Sequence, residues 1–107
     1  MDSLKYYERM KRRPSAVDFN GPTDRHHLLA VGMGNNREKE MIEHYSVINL
    51  TRQQHQVLHA RGVEAFEQMY KINLWECAFK NVRDYAIDLE SEIEELKIKL
   101  LIAEGAR

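Results

Sequence analysis

His55 and His59 lie four residues apart in a stretch with helical spacing. On a helix both rings share one face, and their nitrogens could meet one metal ion. A metal centre needs three or four ligands. The other donors of suitable type are His26, His27, His44 and Cys77, and none stands at a spacing that marks it as the partner. No Glu follows His55, so the His-Glu-x-x-His pattern of zinc proteases is absent. The reading is therefore no metal centre and no cofactor, with His55 and His59 kept only as candidate ligands and otherwise two polar surface residues. Cys77 is the single cysteine, has no partner in sequence that would activate it, and excludes an internal disulfide. No serine sits in a nucleophile elbow, and the carboxylates lie on charged helical faces. Gly32-Met-Gly34 lacks the further glycines and the Lys-Ser/Thr pair of a phosphate loop. The expectation from these residues is a protein that is not an enzyme.

A second set of candidates is basic. Lys5, Arg9, Lys11, Arg12 and Arg13 crowd the first thirteen residues, against Asp2 and Glu8. With Tyr6 and Tyr7 among them, they could contact a phosphate backbone or an acidic partner. The whole chain of 107 residues has a formal charge of −1, so no global field draws it to nucleic acid or membrane. No apolar run approaches the ~20 residues that cross a bilayer, and no signal peptide is visible. Together with the lone cysteine, this reads as a cytoplasmic protein.

The elements that would position these residues are read as helices. Ser3 is placed as the cap of a short helix to about Arg13, stopped by Pro14. Residues 1–36 then form a basic, mobile arm and a loop holding Pro14, Pro22, Gly21, Gly32 and Gly34, with a short apolar run at His27–Val31. Asn36 caps a helix over about Arg37–Ile48, with Met41, Ile42, Tyr45 and Ile48 on one face. Thr51-Arg-Gln-Gln54 fits a capping box that starts a long helical region, in which Gly62 and Asn73 are the weak points. Residues 37–107 are read as one helical domain. The fold class expected is all-α.

The most regular feature is the 4-3-4-3 spacing of Trp75, Phe79, Val82, Ala86, Leu89, Ile93, Leu96 and Leu100, one apolar seam over nearly four heptads. Ile93 at a with Leu89 and Leu96 at d suits a parallel two-stranded coil, and Glu92 would face Lys97 across it. A coiled-coil-like segment over 75–102 and a homodimer follow as expectations. Tyr85, Ile87, Ile98, Leu101 and Ile102 lie off the seam and imply a second contact face.

The segment from Gly62 to Val82 resembles the helix-turn-helix of sigma-factor region 4 and LuxR-type regulators. Asn73 takes the turn position, and Leu50-Thr51 lies upstream where those families start a helix. The resemblance implies Ile72, Leu74, Phe79 and Val82 as core positions and a DNA-binding role. Gln68 and Met69 depart from the pattern, and Trp75 cannot serve both the seam and base readout. The function expected is a small non-enzymatic protein that binds a larger protein partner, as an adaptor, inhibitor or assembly factor of phage or mobile-element type. A dimeric DNA-binding regulator is the alternative.

Overall fold

A computed structural model describes residues 2–30 and 37–105. The Gly32–Gly34 loop, Val31 and the Asn36 cap lie outside the described residues. Helix α1 spans Ser3–Met10. Its cap is Asp2, whose Oδ1 accepts from the N–H groups of Leu4 (3.0 Å) and Lys5 (3.1 Å), rather than Ser3. The Ser3 N–H and hydroxyl donate instead to the Glu40 carboxylate. Tyr6, Tyr7 and Met10 line one face of α1 and are buried, so the segment expected as a mobile arm is docked in the core.

The all-α expectation is overturned by a two-stranded antiparallel sheet. Strand β1, Asp24–His27, pairs with β2, Val47–Leu50, with His26 opposite Ile48 and Asp24 opposite Leu50. The helix expected over Arg37–Ile48 shrinks to a short 3-10 helix, Ile42–Ser46. Met41, Ile42, Tyr45 and Ile48 do keep a helical period, but β-branched Val47 and Ile48 favour extended backbone. Burial on both faces then decides the outcome. Ile48 and Leu50 enter a cluster with Leu58, Phe66, Leu74 and Ala78. Val47 enters the other cluster with Tyr6, Tyr7, Met10 and Tyr85. That alternation is the period-2 signature of a strand. Buried Asn49 donates to the Met10 carbonyl and the Thr23 hydroxyl, which ties β2 to the loop before β1.

Helix α2, Arg52–Arg61, starts at the expected capping box, with Thr51 Oγ1 accepting from the Gln54 N–H and Gln54 Oε1 accepting from the Thr51 N–H. The long helix is then broken twice. Gly62 takes a positive φ of 85°, open to glycine at little cost, and ends α2. Helix α3, Val63–Tyr70, ends at Lys71 in the left-handed region, and Asn73 Oδ1 accepts from the Glu76 N–H at the start of α4, Leu74–Gly105. Turn and second helix are thus both present, yet Phe79 is exposed where the helix-turn-helix resemblance implied a core position. Helix α4 packs through Leu74, Ala78, Val82, Tyr85 and Leu89, then runs on beyond the body. The 63 Å long axis of the molecule comes from that projection.

Candidate metal centre

Strand β1 and helix α2 lie side by side because both pack on β2. That neighbourhood places His26 against the two histidines of α2. His26 Nδ1 lies 3.0 Å from His55 Nε2, and His59 Nε2 lies 3.0 Å from the same atom. The three ring nitrogens lie within 4.8 Å of one another, close enough to share one ion. His26 and His55 are half-buried and His59 is exposed, so the cluster opens to solvent. A shallow cleft of about 290 Å³ lies over it, lined by Asp24, Arg52, His55, Gln56 and His59.

The carboxylate behind the cluster is Asp24. Its Oδ2 accepts from His55 Nδ1 at 3.4 Å and its Oδ1 accepts from Arg52 Nη2 at 3.4 Å. With the His55 proton on Nδ1, Nε2 carries its lone pair toward the other two rings. A carboxylate in this position fixes the tautomer and raises the basicity of a metal-binding imidazole. Substituting Asp24→Asn is expected to weaken divalent-cation affinity by about 10–100-fold. Calorimetric titration of the chelator-stripped variant checks this, and affinity within about twofold of wild type would show that Asp24 plays no such part.

Burial holds His26 neutral, with its pKa down to about 4, helped by the neighbouring His55, His59 and Arg37 charges. Neutral imidazole is the form that binds metal. The donor set therefore fits a divalent transition ion with open coordination positions, the arrangement that leaves room for substrate.

His27, next in the strand, faces the other side. It stands beside Tyr7 and His44, with the Tyr7 and His44 rings stacked 4.3 Å apart. His44 Nε2 lies 2.9 Å from the Lys39 carbonyl, which can only accept, so that nitrogen carries a proton. With His44 neutral, its Nδ1 accepts from His27 Nε2 at 3.1 Å. His27 Nδ1 is then an unprotonated lone pair, and it has no hydrogen-bond partner among the described residues. Burial, then Arg37, pushes the pKa of His27 down to about 4.

Both histidines sit below the ~6.5 of an unfolded histidine, so the unfolded chain takes up protons first. The metal-free protein is expected to keep its full stability above about pH 6.5 and to lose a few kcal/mol as the pH falls toward 4. Urea midpoints measured across that range check the sign, and a flat profile would contradict it.

The basic candidates divide. Arg9 pairs with Asp88 and lies over the Tyr85 ring, and Arg13 pairs with Asp84 at 3.6 Å. Lys5, Lys11 and Arg12 are exposed. None of the five lines the histidine cleft. Arg52, not singled out from sequence, stands at its rim with 78 % of its side chain exposed. Cys77 is free and half-buried, and burial raises its thiol pKa. His26, named from sequence only as one of several possible donors, lies 29 residues from His55 in sequence. The signal that could have found it is the tandem pair His26-His27: adjacent residues of a strand face opposite sides, so one of them must reach the helix.

This β1–β2–α2 unit brings three histidines together where they could hold one metal ion. A family model, HNHc_6, described as "Putative HNHc nuclease", matches residues 2–85 of the 107. The chain belongs to this family. The match contains α1, the sheet, α2, α3 and α4 as far as Tyr85, and it corrects the expectation of a non-enzymatic protein. Comparison with curated proteins and with solved structures gives no match. Among the described residues, no helix is long and apolar enough to cross a membrane.

Proposed function

We propose that this chain is a metal-dependent nuclease that hydrolyses phosphodiester bonds at the His26, His55 and His59 cluster. The convergence of these three side chains, from a strand and a helix far apart in sequence, carries the reading. Family membership supplies the substrate class. A divalent cation held there would act as a Lewis acid on the phosphate and its leaving oxygen. His55 is the hub of the cluster, and Asp24 holds its ring in place. Arg52 is positioned to meet a phosphate oxygen at the mouth of the cleft, and Arg37 adds positive charge near both strand histidines.

Hydrolysis needs a water to lose its proton as it attacks phosphorus and the P–O ester bond breaks. His27 Nδ1 has a free lone pair, and buried His44 and the Lys39 carbonyl fix its tautomer, but it lies buried on the face of β1 away from the cluster. The proton is taken up by solvent at the open mouth of the cleft.

The test is cleavage by untagged, chelator-stripped protein. Supercoiled plasmid, single-stranded DNA and RNA are incubated with and without Mg²⁺, Mn²⁺, Ni²⁺ or Zn²⁺. Cleavage of at least one substrate that depends on added cation is expected. Intact substrate under every condition would overturn the proposal.

A further inference from the structure

Beyond Leu89, helix α4 leaves its own body and every residue is exposed. Ile93, Leu96, Ile98, Leu100, Leu101 and Ile102 stand 52–69 % exposed within ten residues. A projecting helix of that length is marginal in water on propensity alone. An apolar surface this dense marks an interaction site. At the other end of the same helix, Trp75 and Phe79 are 43 % and 63 % exposed. They border an apolar groove of about 380 Å³ with Leu29, Ile42, Tyr45 and Val82. One molecule thus carries an unpaired apolar rod and an unfilled apolar groove on a single helix.

We propose that α4 pairs with α4 of a second copy in antiparallel orientation, about a two-fold axis between Ile87 and Asp88. The seam is self-complementary in that arrangement: Trp75 meets Leu100, Phe79 meets Leu96, Val82 meets Ile93, and small Ala86 meets Leu89. Each contact recurs by symmetry, as a closed two-fold interface requires. The rod of each copy fills the groove of the other.

Charge and steric access choose this orientation over the parallel coil. Along one edge of the seam stand Glu76, Arg83, Glu90 and Lys97, all exposed. Antiparallel pairing sets Glu76 against Lys97 and Arg83 against Glu90, and symmetry doubles both attractive pairs. Lys97 reaches Glu94 within the single chain, an exposed pair that is cheap to exchange. Parallel pairing offers the matches Glu92 to Lys97 and Lys99 to Glu104, both confined to the free end of the helix. It also needs the opposite edge, where Ala78 and Tyr85 are already buried in their own body. Opposite charges across an interface fix its register and orientation.

Light scattering on the reduced, full-length protein at micromolar concentration is expected to give twice the 12.6 kDa of one chain. Glu76→Lys should weaken the dimer by about tenfold, and Glu76→Lys combined with Lys97→Glu should restore it. A spin label on Glu104→Cys in a Cys77→Ser background reads orientation. The antiparallel dimer places the two labels about 50 Å apart along the axis. A monomeric mass, a label separation of about 10–15 Å as a parallel pair gives, or no rescue in the double swap would each overturn the proposal.

Discussion

Replacing His55 by alanine is expected to lower metal-dependent cleavage by on the order of 10³-fold, about 4 kcal/mol of transition-state stabilisation. His55 is the one residue in contact with all parts of the cluster: His26, His59 and Asp24. Its removal leaves two ligands, His26 and His59, and an Asp24 carboxylate held by Arg52. His59→Ala removes an exposed ligand at the mouth of the cleft and should cost less. Neither substitution touches the hydrophobic clusters, so thermal unfolding should move little, which separates a chemical loss from a folding one. The measurement is initial cleavage rate at saturating cation. A rate within about threefold of wild type would remove His55 from the site.

Phe66→Ala is expected to destabilise the protein by about 3–5 kcal/mol. Phe66 is fully buried, and its ring lies 4.6 Å from that of Tyr70. It comes from the short helix α3, yet it fills the space among Ile48 and Leu50 of β2, Leu58 of α2 and Leu74 and Ala78 of α4. These neighbours belong to three separate elements, so the cavity cannot close without moving α2. The loss should therefore appear twice: in the urea midpoint, and in weaker cation binding as His55 and His59 drift from His26. Destabilisation under about 1 kcal/mol would mean the neighbours collapse into the gap.

Local signals in the sequence gave local structure. Thr51 and Gln54 form the capping box, because such a box needs only four consecutive residues. His55 and His59 do share a helix face, because i and i+4 always do. The seam on α4 is a true helical stripe, although its first half borders the core. What sequence could not give was non-local. Asp24-Arg-His-His27 has no apolar alternation and follows a Gly-Pro turn, so it reads as loop. It becomes a strand only because Val47–Leu50 pairs with it. Val47–Leu50 in turn carries a helical period that burial on both faces overrides. The third ligand was hidden by the same fact, since His26 meets His55 only through that sheet.

Net charge is a similarly non-local quantity. A total of −1 describes the chain, whereas the proposed nuclease needs positive charge only where phosphate arrives. Arg52 at the rim of the histidine cleft would supply it there. Eight of the seventeen acids lie on α4, and two of them, Asp84 and Asp88, are bound to Arg13 and Arg9. The basic N-terminal segment, read from sequence as able to contact a phosphate backbone or an acidic partner, spends part of its charge in fastening α1 to α4.

The most direct measurement is calorimetric titration of Zn²⁺ or Ni²⁺ into untagged, chelator-stripped protein, wild type beside His26→Ala. The account predicts one ion per chain, with affinity lowered by two orders of magnitude or more, about 3 kcal/mol, in the variant. His26 is the decisive position, since only the fold brings it to α2. Equal affinity in the two proteins, or no binding by the wild type, would contradict the metal centre and the nuclease mechanism built on it.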